Sequence, residues 1–331
     1  MRIFITGATG FIGSALCQRL CSESHTVAAF HRPTSTISDI SSYNITRYIG
    51  DLTDSDSVMQ AVTAFKPEVV YHLGARMNPA PTVNRLMQVN VMGTRAVLLA
   101  ALRNKVSRVV LMSAAVTLGL PELHARSNHP PAELNESRVQ NIQSELWPFA
   151  KSKYLAEMEA QSAATGGLDT VMVNPFLVIG PGDRYRRKSS FLMQMKTTAP
   201  LIIPRGGINI ISLDDVVTGL INACRYGRSG ERYLLCGRNI TYQQLFETCA
   251  EIAGFTPPKL LYENQTLTKI IEKLRPDAPL QIETLEGSIY TYADRYFYYN
   301  PKKSRVALHL PPTGNLEETL RKAYQWFEEN V

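Results

Sequence analysis

"TGATGFIG", residues 6–13, begins on the last residues of a strand-like run, "RIFITG" (2–7), and opens a stretch of helical periodicity, "GSALCQRLCSES" (13–24). Its three glycines stand three apart, and each has its own use. Gly7 allows a tight turn, Gly10 lets the backbone approach a pyrophosphate, and Gly13 permits close packing of helix on strand. The first amides of the helix, with Thr9, Phe11 and Ile12 beside them, then face an anion at the positive end of the helix dipole. Glycines alone say little. Their place between a strand and a helix makes this a dinucleotide-binding turn.

Further along, strands and helices alternate. Strand-like runs lie at 26–32, 45–52, 68–75, 107–114, 168–175 and 232–237. Helical patterns lie between them at 54–65, 83–105, 149–164 and 211–227. Such alternation predicts right-handed βαβ units. The expected fold is α/β, a Rossmann-type doubly wound parallel sheet with a small C-terminal α/β substrate lobe. Residues 1–180 are expected to form the dinucleotide-binding domain, with 206–237 returning to it. Residues 181–205 and 238–331 are expected to form most of the substrate lobe. "TYQQLFETCAEIAG" (241–254) reads as a helix capped by Thr241 and Gly254, and 316–330 as an amphipathic surface helix. Residues 120–148 read as a long irregular loop.

The chain has 331 residues, 44% apolar and 19% charged, which suits a globular protein and not a disordered one. Its apolar runs are too short to span a bilayer, and "MRIFITG" lacks the h-region of a signal peptide, so a cytoplasmic protein is expected. The net charge of +6 comes from scattered basic residues, apart from "RYRRK" (184–188). That favours a phosphate-bearing ligand over nucleic acid. Cys17 and Cys21 are four apart, but no second ligand pair lies near them, so reduced thiols and no metal are expected.

The G-x-x-G-x-x-G spacing resembles that of extended short-chain dehydrogenases/reductases. "GDLTD" (50–54), "YHLGA" (71–75), "VNVMGT" (89–94) and "NPFLVIGPGD" (174–183) match further motifs of that family in order. "GGINIISLDDVV" (206–217) and "YYNPKKSRVAL" (298–308) resemble its dihydroflavonol reductase, 3β-hydroxysteroid dehydrogenase and epimerase group. The resemblance implies that Asp51 and Leu52 meet the adenine and that Leu73, Gly74 and Ala75 pass the adenosine ribose. It also places Asn90, Ser113, Lys153, Pro175, Phe176 and Val178 around the cofactor. In "AAFHRPTST" (28–36) no acid follows the second strand to bind a ribose 2′-hydroxyl, and Arg32 offers a partner for a 2′-phosphate. The expected cofactor is therefore NADP, with NAD the alternative.

The resemblance also implies a catalytic Tyr, a Lys four residues later and a Ser or Thr at the fifth strand. In "PFAKSKYLAE" (148–157) Lys153 matches the lysine, but Phe149 stands where the tyrosine belongs. In "LMSAAVTLG" (111–119) Ser113 matches a first serine, while Ala114 stands at the catalytic one. Both hydroxyls are gone. Three readings follow. One is an atypical reductase of a ketone, enone or quinone whose proton comes from Lys153, Thr117, Tyr154, Tyr185, His124, His129 or water. The others are a non-redox enzyme such as a cyclase, dehydratase or epimerase, and a catalytically silent NADP-binding protein. Arg76 and the basic run "RYRRK" (184–188) could meet an anionic substrate, and Tyr185 within that run is a candidate substrate residue. Met77, Phe149, Phe176, Leu177 and Phe191 would line an apolar pocket, which points to a hydrophobic small molecule. A homodimer through helices 83–105 and 149–164 is expected from the resemblance.

Overall fold

A computed structural model describes residues 1–77, 83–123, 131–137, 147–184, 202–257, 259–261 and 292–330. Tyr185, Phe191, His124 and His129 lie outside the described residues, as does most of the 120–148 segment.

The main sheet has seven parallel strands. They are β1 (Arg2–Thr6), β2 (Thr26–His31), β3 (Ile45–Ile49), β4 (Val69–His72), β5 (Arg108–Met112), β6 (Thr170–Pro175) and β10 (Arg232–Leu235). Their spatial order is β3-β2-β1-β4-β5-β6-β10. The strand order therefore reverses between β1 and β4, and the crevice for a ligand lies there, outside the carboxyl ends of the strands. Both faces of the sheet are buried, so β4 and β6 are buried at every residue instead of alternating.

Helices cover both faces. They are α1 (Phe11–Ser22), α2 (Ser55–Phe65), α3 (Val83–Met87), α4 (Gly93–Arg103), α5 (Pro148–Thr165) and α6 (Leu213–Tyr226). One core cluster joins α1 and α6 to one face through Leu16, Leu20, Val216 and Leu220. Another joins α2 and α4 to the opposite face through Val58, Val62, Val97 and Ala101. Local chemistry sets the ends. Asp54 caps α2 by accepting from the Asp56 and Ser57 amides, and Lys66 closes it in the left-handed region at φ 52°. Helix α1 starts two residues earlier than its periodicity suggests, because the Gly10 carbonyl already accepts from the Ser14 amide at 2.8 Å.

The expected single helix over 83–105 is α3, a π-helical turn at Gln88–Met92, and α4. A wide turn of this kind often occurs where a side chain must be aimed. Here it carries Asn90.

Beyond the main sheet, β7 (Leu177–Ile179), β9 (Gly207–Ser212) and β11 (Arg238–Thr241) form a second sheet, and β8 (Ile202–Pro204) pairs with β12 (Lys259–Leu261). Of the 206–237 segment, α6 and β10 return to the main sheet, whereas β9 pairs with β7 and β11. Helix α7 (Tyr242–Ala253) has the expected capping box, Thr241 with Gln244, and ends on Gly254 at φ 71°. A short α8 (Lys302–Ala307) and a terminal α9 (Leu316–Asn330) complete the described elements. Helix α9 packs on α7 through Leu320, Ala323 and Tyr324, against Leu245 and Phe246.

Candidate active site

At the carboxyl end of β1 the chain turns as the glycines require. Gly7 has φ 71°, and a Cβ there would lie 2.6 Å from the Gly74 amide nitrogen. The Gly10 amide donates to the Gly7 carbonyl at 3.0 Å, closing the turn. Gly10 is the N-cap of α1 and offers no side-chain acceptor. The amides of Phe11, Ile12 and Gly13 have no carbonyl one turn back, so they can serve an anion. The side-chain-free backbone at Gly7 and Gly10 fits a dinucleotide pyrophosphate.

At Gly13 a Cβ would lie 2.1 Å from the Gly7 carbonyl oxygen and 2.9 Å from the Ala8 Cα. Both are backbone atoms that cannot move aside alone. Gly13→Ala should therefore push α1 off β1, at a cost of about 1–3 kcal/mol, the usual range for overpacking. A urea unfolding midpoint unchanged from wild type would contradict this.

Around the turn lie the other expected cofactor residues. Arg32 is exposed directly after β2. Asp51 accepts from the Thr53 amide at 2.9 Å and the Thr53 hydroxyl at 2.8 Å, and lies 3.6 Å from Arg85. Burial raises the pKa of Asp51, but the Thr53 bonds with Arg85 and Arg32 outweigh that and lower it overall. Leu52 packs where Gly74 and Gly93 leave room, 2.7 and 2.9 Å from their would-be Cβ atoms. Leu73 is buried in the core beneath the turn, and Ala75 is exposed at the cleft edge. Thr9 is buried.

A line of buried polar groups links the glycine turn to α5. The Asn90 amide donates to the Ser152 hydroxyl at 2.9 Å and to the Arg76 carbonyl at 2.8 Å, while its oxygen accepts from the Arg76 amide at 2.7 Å. Asn90 thus holds the loop after β4 instead of only lining the cofactor cleft. The Thr94 hydroxyl donates to the Asn90 carbonyl at 2.6 Å, so it accepts from His72 Nε2 at 2.9 Å. His72 Nδ1 then accepts from the Thr6 hydroxyl at 2.6 Å, and Thr6 accepts from the Gly74 amide at 3.1 Å. Burial, with the Lys153 charge beside it, pushes the His72 pKa down to about 3, so the ring is neutral. Neither His72 nor Thr94 was singled out in the sequence. A histidine inside an apolar strand is the signal that points to such a partner.

The Phe149, Lys153 and Glu157 side chains repeat every four residues and share one stripe of α5. Lys153 Nζ donates to the Met112 carbonyl at 2.7 Å. One turn further, Glu157 is completely buried, and its Oε1 accepts from Ser113 at 2.5 Å, Asn174 at 2.6 Å and Thr117 at 2.8 Å. Its Oε2 lies 3.5 Å from Arg232 of β10. Ser113, expected at the cofactor, and Thr117, expected as a catalytic proton source, thus both donate to Glu157. The sequence reading passed over Glu157, although a charged residue one turn after Lys153 on a buried stripe is its mark.

Phe149 and Ala114, which carry no side-chain oxygen, are both half-buried. Phe176 turns to an aromatic cluster, with its ring 5.5 Å from Phe297 and 5.1 Å from Tyr299. Trp147, just before α5, stacks on Tyr292 at 5.1 Å. Pro175 ends β6, Leu177 is half-buried on β7, and Val178 is buried in the main core. Arg76 is half-buried and Met77 is 57% exposed, next to the cleft. Tyr154 points elsewhere, with its ring centroid 6.0 Å from Lys151 Nζ. Among the described residues no cluster of His, Cys, Asp or Glu could hold a metal, and no helix is long and apolar enough to cross a membrane.

Comparison with known proteins agrees with this architecture. The chain is 28% identical to a Synechocystis protein proposed to be a dihydroflavonol 4-reductase, over 99% of this chain and 94% of that one. It is 26% identical to sterol demethylase protein B of Methylococcus capsulatus, over 99% of each. The solved Bordetella bronchiseptica enzyme WbmH, in complex with NAD+, shares the fold at a TM-score of 0.76 and 20% identity, over 99% of this chain and 98% of that one. The model of the NAD dependent epimerase/dehydratase family matches residues 3–236. The chain belongs to that family, among the extended short-chain dehydrogenases/reductases.

Proposed function

We propose that the protein is an NADP(H)-dependent reductase of a hydrophobic ketone or enone, working without the usual tyrosine and serine hydroxyls. The observation that carries this reading is the pairing of an anion-ready glycine turn with Lys153, buried at the end of β5 beside Phe149. Gly7, Gly10 and the α1 amides would hold the pyrophosphate, Asp51 and Leu52 the adenine, and Lys153 the nicotinamide ribose. When bound, the nicotinamide supplies a hydride. The protein's own groups shield the site with Phe149 and supply a proton.

NADP is preferred over NAD because Arg32 is exposed after β2, where no carboxylate competes for a ribose hydroxyl. Arg32→Ala should weaken NADPH binding about tenfold, the worth of a charge-assisted hydrogen bond, and leave NADH binding unchanged. Fluorescence titration of both cofactors reads this directly, and an equal change for each would remove the 2′-phosphate assignment. The apolar side chains Met77, Phe149 and Leu177 support a hydrophobic substrate, as do relatives named for a dihydroflavonol and a sterol. Residues 1–180 with 206–237 would serve the dinucleotide, and 181–205 with 238–331 the substrate. A homodimer through α4 and α5 is part of the proposal, supported by exposed Met92, Leu99 and Leu102.

The deciding experiment follows absorbance at 340 nm with NADPH and a panel of polycyclic ketones, enones, quinones and sugar nucleotides. Oxidation with an apolar ketone supports the reading. If NADPH binds but only the Phe149→Tyr, Ala114→Ser double variant turns over, the protein holds the cofactor without reducing anything.

A further inference from the structure

We propose that Lys153 is the general acid of this site, delivering its proton from Nζ straight to the substrate carbonyl oxygen. The proposal rests on the reductase reading above. A bound reduced nicotinamide supplies the hydride. As the carbonyl carbon gains that hydride, the C=O π pair moves onto oxygen. An N–H bond of the Lys153 ammonium breaks, its electron pair stays on nitrogen, and the new O–H bond completes the alcohol. Neutral Lys153 then regains a proton from solvent.

Among the described residues, the geometry removes the other donors. The Ser113 and Thr117 hydroxyls are buried against Glu157 Oε1. His72 is neutral, with its one ring N–H given to Thr94. Tyr154 lies about 100° around the helix from Lys153, by Lys151. Phe149 carries no hydroxyl through which a lysine could act. Lys153 itself spends one of three N–H bonds on the Met112 carbonyl, at the strand end where Ser113 and Ala114 follow. Among the described residues its other two have no acceptor, so they remain for a ligand.

The electrostatics suit an acid working near neutral pH. Burial pushes the Lys153 pKa down to about 8, with Glu157 acting in the opposite direction. Without that carboxylate one turn away, burial would favour the neutral amine still more strongly. The titratable groups facing Lys153 are Glu157 on its own helix and His72 on β4. Arg232 on β10 is held at the far oxygen of Glu157, and β5 and β6 present only Ser113 and Asn174 here. A lysine tuned towards 7–8 is a competent general acid.

Two measurements test this. Competitive acetylation of the cofactor-free protein across pH, read by peptide mass, should give Lys153 a midpoint near 8, against about 10.4 for ordinary lysines. With NADPH and a reducible ketone, wild-type kcat/KM should be level at lower pH and fall tenfold per unit above that midpoint. Lys153→Met should lose about 10²–10⁴-fold in kcat, the usual contribution of an acid, beyond whatever NADPH affinity it loses as a ribose contact, with kcat read at saturating NADPH. A labelling midpoint above 10 would overturn the proposal. So would a Lys153→Met protein that keeps kcat and loses only NADPH affinity, which would make Lys153 a ribose ligand alone. A wild type that binds NADPH and reduces nothing overturns the reductase reading and the acid with it. Turnover without the alkaline limb overturns the acid only.

Discussion

Glu157→Ala should lose about 3–5 kcal/mol of stability, the cost of breaking a buried charge cluster from one side. The truncation leaves Arg232 without its carboxylate and takes the acceptor from Ser113, Thr117 and Asn174 together. No water can replace it cheaply, because Glu157, Ser113, Thr117 and Asn174 are each less than a tenth exposed. Urea unfolding at neutral pH measures the loss as a drop in midpoint. Glu157→Gln should lose less, since its amide oxygen can still accept from the three donors. An alanine variant within 1 kcal/mol of wild type would show that the cluster does not hold the Ser113–Thr117 turn. The same variant should also loosen the end of β5, because Ser113, Thr117 and Asn174 share this oxygen as acceptor.

Acid should unfold the protein through His72. The sign follows from its two pKa values. In the fold it titrates at about 3, while in the unfolded chain it titrates near 6.5. Between these values the unfolded state takes up a proton that the folded state refuses. Stability is therefore complete above about pH 6.5 and falls as pH drops towards 3. Two pH units below the unfolded value, the loss should be roughly 3 kcal/mol. His72→Gln cannot titrate and should flatten this slope while lowering stability at pH 7, since both Thr6 and Thr94 lose fitted partners. The comparison to make is urea midpoints for both proteins at pH 7 and pH 4.5. Parallel losses in the two would assign the acid sensitivity to other groups.

The two networks explain why some of the site could be read in advance and some could not. Gly7, Gly10 and Gly13 are read from spacing because each answers to backbone sterics within seven residues. The Thr241 and Gly254 caps and the Asp54 cap are local in the same way. Lys153 with Phe149 is likewise a matter of helical spacing. The length of the 83–105 helix was right, but its π turn was not foreseen, because that widening answers to Asn90 reaching Ser152 across 62 residues. The second sheet also escaped prediction, since β7 and β9 are short and pair across more than 30 residues.

Sequence alone determined the parallel α/β fold, the glycine turn between β1 and α1, and the hydroxyl-free residues Phe149 and Ala114. Each follows from periodicity, backbone freedom or the plain identity of a residue. Only the tertiary structure decided what the remaining polar groups do. Parallel strands bring their carboxyl ends to one edge of the sheet, so Ser113 and Asn174 arrive beside α5 from distant parts of the chain, and Arg232 reaches in from the first residue of β10. There, away from water, each must find a partner, and Glu157 is the group that all of them reach. That convergence engages Ser113 and Thr117 and leaves Lys153 outside it, bonded to the Met112 carbonyl.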